Sequence, residues 1–514
     1  MATHIRRGPP KITIWPNDTL TNETQIGHMV ESFSVSKQLG QPAGTFTISL
    51  LPYPASGRHP TSARAVPELA SRILPNTVVS IGFEEDGGIM VGLVDRVERR
   101  LVLGGPSASY RLTITGRDFG KVLVNDHVIL ASLTVPDFAE FTTKITAALG
   151  ANHPLLQFLP GVFGPTTRDG VPTFLNTTVE EVAQWLLANV GSLRIPLLAE
   201  ALGGDGLPGD YMSVVATTWN DGRIWKDSIH QSMGTIWSYL QQILDPDFYE
   251  IWIDSIPNVD GLFGSGGAAL PNVVLNIRPK PFDEDKLAFA DVSDQSNSGK
   301  WADLKTQIDQ ESNWEIALDE VLNFSTAIDD SGALSYYQVT SMHELIGNPD
   351  ALSEGLAYPL VDTFNAARFG LRSYQSRLSL VAGDVAAKSG GSTDYAGEVA
   401  EDVRRFRNRL FNWYRLAPWF ERGSITVVGR DRYRPGDPVN LDWHTPAVGL
   451  WSSLVSPGVR FYCTGVQWGW SLGGGYTSTL TLDRGHNDSL LDFVATWHIL
   501  ATAPVTNLDH FVEV

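Results

Sequence analysis

A single cysteine, Cys463, stands among 514 residues, which excludes an intrachain disulfide and a multi-cysteine zinc cluster. Its place in the FYCTGV stretch marks it as a buried packing residue. Long apolar runs are also missing. None reaches the ~18 uninterrupted apolar residues of a membrane-spanning helix, and the opening MATHIRRGPPKITIW lacks an apolar core followed by a small-residue cleavage site. Neither a membrane span nor a secretory signal is therefore expected, and the lone cysteine suits a reducing cytoplasm. Basic residues are scarce, with 38 Lys and Arg against 57 Asp and Glu for a formal net charge of −19. That balance argues against a sequence-independent grip on nucleic acid through phosphate neutralisation. What remains is the composition of a soluble globular protein, 43% hydrophobic and 18% charged, long enough for three or four compact units.

The most informative stretch runs from Tyr433 to Gly485. Val466, Trp468 and Trp470, then Tyr476, Ser478, Leu480 and Leu482, alternate with the period of a pleated strand, and Gly473-Gly474-Gly475 between them supplies turn residues. Pro75 to Gly120 repeats the order of parts. Each stretch has a Pro-x-x-x-Val strand, a Gly-Leu or Gly-Val step (Gly92-Leu93, Gly465-Val466), a Gly-rich turn and a Tyr-led strand (YRLTITGRD, YTSTLTLDRG). An internal duplication of one small β unit explains the echo.

Taken in order, strands are expected over 11–15, 28–36, 44–51, 78–83, 89–101 and 110–115, giving a first barrel that ends near Asp126. The period then turns helical. Phe138, Phe141, Ile145 and Leu149 follow Thr134-x-Pro136, while Val179, Val182, Leu186 and Val190 follow Thr177-x-x-Glu180, a capping-box pattern. Ile229, Met233, Ile236, Leu240 and Leu244 predict a third helix, stopped by Asp245-Pro246. Strands return at Phe248 (FYEIWID, VVLNIRPKPF, 314–322 and 334–340) and resume at Gly423, with a helix between them on Val399, Val403, Phe406, Leu410 and Trp413. Arg404, Arg405, Arg407 and Arg409 are assigned to its solvated face. The expected organisation is a first barrel (1–126), a helix-rich unit (127–247), the first part of a second barrel (248–345), an inserted segment (346–421), closing strands (422–486) and a tail (487–514).

Several motifs together resemble the baseplate hub family of contractile phage tails, the late control protein D type. They are VVSIGFEEDGGIMVGLVDRVE and LTITGRDFGKVLVND in the first half, then LNIRPKPF (275–282), ALDEVLNFSTAIDDSGALSYYQV (317–339), RFGLRS (368–373) and the closing GRDRYRPGDPV to LDRG. The resemblance implies a mainly β chain with helical insertions and two tube-protein-like antiparallel barrels, assembled as a homotrimer. It implies the tail tube protein, a spike protein and other baseplate proteins as partners, a virion location, no stable membrane insertion and no cofactor. DNA would pass through the channel without specific binding, which the net charge of −19 would favour. Under it, Gly92, Gly465 and Gly485 serve strand geometry, Tyr110 and Tyr476 are matched positions of the duplicate, and Glu84 and Asp86 face the lumen.

Enzyme signals are thin, and no catalytic or metal-binding residue is assigned. His343-Glu344 begins like a zinc-protease motif, but Gly347 stands where the second histidine belongs. Gly261, Gly264, Gly266 and Gly267 lack the Lys-Ser/Thr of a phosphate cradle, and Asp483, His486 and Asp488 read as a turn before they read as a cation site. The alternatives are a tail-associated peptidoglycan hydrolase and a Trp-rich carbohydrate-binding protein. Trp237, Trp252, Trp468 and Trp470 lie in helix or strand patterns that packing explains.

Overall fold

The structure is a computed structural model and describes residues 8–16, 23–54, 69–83, 87–102, 109–129, 177–195, 197–199, 205–216, 218, 222–224, 233–256, 272–280, 314–341, 360–381, 395–445 and 457–487. The chain begins with β1 (Lys11–Ile14) and β2 (Thr24–Gln25), a 3₁₀ turn over Gly27–Met29, β3 (Val30–Gln38), β4 (Thr45–Leu50) and β5 (Tyr53–Pro54). Next come β6 (Val78–Phe83), β7 (Gly87–Val102), β8 (Ser109–Asp118) and helix α1 (Lys121–Asn125). Alternation makes these strands. In TFTISL of β4, Phe46, Ile48 and Leu50 are buried, while Thr45, Thr47 and Ser49 face the other way.

The middle of the chain holds β9 (His127–Ile129), α2 (Val179–Asn189), α3 (Pro208–Tyr211), β10 (Met212–Ala216), β11 (Arg223–Ile224), β12 (Met233–Thr235), α4 (Ile236–Ile243), β13 (Tyr249–Ile256) and β14 (Asn272–Pro279). Helix α2 has the expected capping box one residue later than the sequence pattern places it. The Thr178 hydroxyl accepts from the Glu181 amide at 3.3 Å, and the Glu181 carboxylate accepts from the Thr178 amide at 2.9 Å. Val179, Val182 and Leu186 form its buried face. Helix α4 starts behind the Thr235 cap, later than its apolar spacing suggests, because Met233 is in strand β12.

The remainder comprises β15 (Trp314–Glu315), a 3₁₀ turn over Leu318–Glu320, β16 (Val321–Ala327), β17 (Tyr336–Ser341), β18 (Leu360–Val361), α5 (Thr363–Phe369), β19 (Ser373–Leu378), β20 (Leu380–Val381), α6 (Tyr395–Tyr414), β21 (Glu421–Val428), β22 (Pro438–Leu441), β23 (Val459–Ser471) and β24 (Gly475–His486). The chain is mainly β with helical insertions. Fourteen strands join one curled sheet with the order β16-β21-β24-β23-β3-β4-β8-β7-β6-β1-β2, to which β5, β22 and β15 are attached at the side.

Two sequence expectations need correction. The sequence places FYEIWID and VVLNIRPKPF in the second barrel, but β14 pairs with β10 on one side and β13 on the other in a separate three-stranded sheet. Strand β17 likewise pairs with β18 and β19. Alternation identifies a strand without naming its partner, and Leu275, Ile277, Tyr337 and Val339 pack with α2, α4 and α6 instead of with the curled sheet's main core. The second correction concerns α6. Val403, Phe406, Leu410 and Trp413 are buried as their spacing predicts, but Arg407 and Arg409 are buried too, so only part of the arginine row is solvated. Arg404 is exposed and Arg405 half-buried beside Asp402.

The two apolar clusters take opposite faces. One gathers Ile12, Phe33, Phe46, Ile48, Ile114, Ile425, Phe461, Trp468, Trp470 and Leu480 from both halves of the curled sheet into one core. In the other, Val78, Val91 and Leu93 meet the helices and the three-stranded sheets. No described helix is long and apolar enough to cross a membrane.

Candidate assembly interface

The curled sheet contains the same six-strand unit twice. Neighbour order β3-β4-β8-β7-β6-β1 recurs as β16-β21-β24-β23-β22-β15. The pairings agree in direction at every step except the last, where β1–β6 is antiparallel and β15–β22 parallel. Finer landmarks coincide. A 3₁₀ turn leads directly into both β3 and β16, and the second residue of each strand, Glu31 or Leu322, is a bulge. Each long strand carries a second bulge: Asp95 lies seven residues before Val102 at the end of β7, and Thr464 lies seven before Ser471 at the end of β23.

Hydrogen bonds next to these bulges repeat as well. Asn76 (φ 71°) and Gly436 (φ 98°) have left-handed backbone. The Asn76 amide donates to Val94 O and the Gly436 amide to Cys463 O, both at 2.7 Å. Reciprocal bonds from Val94 N–H to Thr77 O and from Cys463 N–H to Asp437 O are both 3.0 Å.

The repeats meet where β3 pairs antiparallel with the far half of β23, from Gly465↔Gln38 to Ser471↔Ser32. Bonds from Leu39 N–H to Thr464 O (2.9 Å) and from Leu472 N–H to Glu31 O (3.0 Å) extend the ladder past both ends. Aromatic packing seals it. Phe33 lies 6.4 Å from Trp470 in a stacked arrangement and 6.3 Å from Tyr476, whose ring is 4.3 Å from Phe83. The fully buried Asp431 ties the loop after β21 to the first repeat. Its carboxylate accepts from the Tyr476 hydroxyl at 2.5 Å and from the Phe83 amide at 2.7 Å. Arg434 Nη2 adds a bond to Gly88 O at 3.1 Å.

The counterparts of this junction lie at the two outer edges. β16 has β21 on one side and no other partner among the described residues, and β7 beyond Leu93 pairs only with β8. Of the eight exposed large hydrophobics among the described residues, four sit here: Leu101 (43%), Leu318 (61%), Leu322 (42%) and Ile328 (36%). Arg96, Arg99 and Arg100 are exposed along β7, whereas Asp329 and Asp330 are exposed after β16.

Buried charge is concentrated around the repeats. Asp118 accepts from the amides of Gly44 (3.0 Å) and Gly120 (2.9 Å), and burial still pushes its carboxyl up to about 6. Burial lowers the ammonium of Lys37, against the attraction of Asp254 and Asp118. Asp95, although burial opposes it, is held below the usual carboxylate range by Arg117 and Lys121. Burial pushes His486 down to about 4. Glu250, Arg278 and Tyr462 form a buried cluster in which the Tyr462 hydroxyl donates to Glu250 at 2.5 Å and Arg278 Nη2 donates to Gly436 O at 3.3 Å. It ties the three-stranded sheet to the second repeat.

The sequence-predicted residues fall as follows. Tyr110 and Tyr476 each follow the first residue of β8 or β24 and face the penultimate residue of the preceding strand, Leu101 or Trp470. Their surroundings differ: Tyr476 is buried, while Tyr110 is half-buried, 5.6 Å from Tyr53 and under Arg99 at 3.9 Å. Gly92 and Gly465 occupy different registers, before and after the bulge. A Cβ on Gly92 would lie 2.7 Å from Arg117 O and one on Gly485 2.1 Å from the Phe461 ring, whereas one on Gly465 would meet only ordinary contacts. Glu84 and Asp86 lie outside the described residues, as do His343-Glu344, the 261–267 glycines, Asp488, the 138–149 helix and the 488–514 tail. Asp483 binds Arg422 at 2.9 Å and His486 is enclosed, and no described group of three His, Cys, Asp or Glu could hold a metal. Trp237, Trp252, Trp468, Trp470 and Cys463 are buried. Sequence reasoning missed Asp431, whose signal, an acid in GRDRY, differs little from a surface turn.

No family model and no curated protein matches the chain. Among solved structures, it is similar to a tail protein from Neisseria meningitidis, with 12% identity, TM-score 0.44 and coverage of 94% of this chain and 98% of that one. A 43 kDa tail protein of prophage MuSo2 from Shewanella oneidensis matches at 10% identity and TM-score 0.45, covering 92% of this chain and 98% of the other. A type VI secretion system component of E. coli, described as structurally similar to bacteriophage tail proteins, matches at 9% identity and TM-score 0.39 over 94% of this chain and 77% of that one.

Proposed function

We propose that the chain is a structural subunit of a phage-type tail, the hub of its baseplate, and acts by assembly instead of catalysis. The observation that carries this reading is the duplicated six-strand unit fused into one sheet, with an edge left open on each repeat among the described residues. A tandem duplicate lets few chains form a ring of twice as many similar lobes, as needed where a sixfold tube meets a threefold spike. The subunit would be a homotrimer that joins the tail tube protein to a spike protein within the baseplate. Its channel would pass DNA without binding it, aided by the formal charge of −19. Support also comes from the ordered motifs in both halves of the sequence that resemble those of the hub family.

The test is mass measurement followed by electron microscopy of the purified chain. A trimer showing a threefold ring with six similar lobes is expected. A chain that stays monomeric at every concentration, or that lyses cell wall in a zymogram without other tail proteins, overturns the reading.

A further inference from the structure

The internal junction specifies how one copy of the chain meets the next. It joins the far half of β23 to the outer edge of β3. The matching bulges make residues 96–102 of β7 the counterpart of 465–471 of β23, and residues 323–329 the counterpart of 32–38 of β3. Both counterparts are open among the described residues.

The geometry points to a second copy of this chain as the occupant of each edge. Strand β16 of one copy adds antiparallel to the far half of β7 of the next, in the register Arg96↔Asp329, Glu98↔Ala327, Arg100↔Ser325 and Leu101↔Phe324. The inference rests on the ring-forming reading above and deepens it, because it fixes which edges join and which residues face each other.

Two observations support this register, and a third argument supports pairing at the edge itself. First, apolar side chains gain cover on one face. Val97 would face Ile328 and Leu101 would face Phe324, as Trp470 faces Phe33 inside the chain. Leu101 and Ile328 are 43% and 36% exposed, against 3% for both Trp470 and Phe33. Second, charges fit. Arg96, beside Glu98 in its own strand and with its side chain 70% exposed, would face Asp329, 49% exposed beside Arg422, and no like charges fall opposite each other. Third, an open edge carrying exposed leucines invites uncontrolled pairing unless a specific partner takes it. A one-residue slip would turn Leu101 and Phe324 to opposite faces and lose the first two gains.

The experiment is disulfide trapping in the full-length chain, in which Cys463 is buried. One tagged preparation carries Arg100→Cys and another Ser325→Cys, both at exposed positions. They are mixed, oxidised mildly and compared with Arg100→Cys plus Thr326→Cys, a pair shifted by one residue. Glu98→Cys with Ala327→Cys is a second in-register pair that guards against a local folding defect. In-register pairs should link at least ten times faster than the shifted pair, while mass measurement of the unmodified chain reports the assembly. An assembled ring with no link, or with preferential linking of the shifted pair, overturns this register and leaves the ring reading standing. A chain that never assembles removes the ring reading, and this inference with it.

Discussion

Strands β3 and β16 hold equivalent places in the two repeats, share the pairs Phe33-Ser34 and Phe324-Ser325, and bulge at the same step. Their surroundings differ. β3 lies between β4 and β23 and buries Val30, Phe33 and Val35, whereas β16, with one described neighbour, has no fully buried residue. The comparison teaches that burial at these positions comes from the neighbouring strand and not from the residue itself. A Phe on the same backbone is a core residue in one repeat and a partly exposed one in the other.

The largest expected effect tests that statement directly. Phe33→Ala should cost about 3–5 kcal/mol in denaturant unfolding of the isolated chain, the usual toll for emptying an aromatic core site. Phe324→Ala should cost under about 1.5 kcal/mol in the same measurement and weaken only the assembled state; equal costs in the isolated chain would break the comparison.

Next in size is the clamp that exists on one side only. Asp431→Ala leaves the Tyr476 hydroxyl and the Phe83 amide without their acceptor, which should lower stability by about 2–3 kcal/mol. Hydrogen exchange at the Phe83 amide should rise before exchange in β4 does.

A smaller effect sharpens the equivalence of the long strands. Gly92→Ala should cost about 1–2 kcal/mol, because its Cβ would press on Arg117 O and the Phe46 ring. Gly465→Ala should stay within about 0.5 kcal/mol in thermal unfolding.

The smallest effect concerns pH, where the repeats oppose each other. His486 at about 4 lies below the imidazole's unfolded value of 6.5, so the unfolded chain binds the proton first and stability falls as pH drops from 6.5 toward 4. Asp118 at about 6 lies above its unfolded 3.8, so the folded chain binds the proton first and stability rises as pH drops through 6 toward 4. In chemical unfolding between pH 6 and 5, His486→Gln should remove a loss of roughly 1 kcal/mol. Asp118→Asn should remove an opposing gain of smaller size, and effects of the reverse sign would refute the assignment.

Much of the repeat was legible in the residues. Alternation in Val466, Trp468 and Trp470 marks β23, and the echo between Pro75–Gly120 and Tyr433–Gly485 locates three of the six paired strands in each copy. Val79 and Val439, read from the shared Pro-x-x-x-Val pattern, do fall at matching points, opposite Gly92 and Phe461. The glycine match was misread for a physical reason. In the first repeat Phe46 of β4 fills the space over Gly92 of β7, whereas in the second the matching position of β23 is itself the ring, Phe461, which lies over Gly485 of β24, so ring and glycine sit on different strands in the two copies. Volume is retained while the sequence pattern is not. A strand resuming at Gly423 marks β21, and the strand expected over 314–322 reaches only the start of β16; their pairing with each other is not legible because some ninety residues separate them, including the strands and helices of a different layer. The burial of Arg407 and Arg409 was hidden because a helix reveals its apolar stripe but not how far its neighbours wrap around it.

The bulges at Asp95 and Thr464 have one further consequence. Core-facing residues of β23 are Val459, Phe461 and Cys463 before Thr464, then Val466, Trp468 and Trp470 after it, so the extra residue changes the parity of the strand from odd to even. It acts as a phase corrector that keeps one long, strongly twisted strand facing one core on both sides of the irregularity. Deleting Thr464 would therefore do more than shorten the strand. It would invert the half of β23 that holds both β3 and the first half of β24, expose two tryptophans and uncouple the repeats.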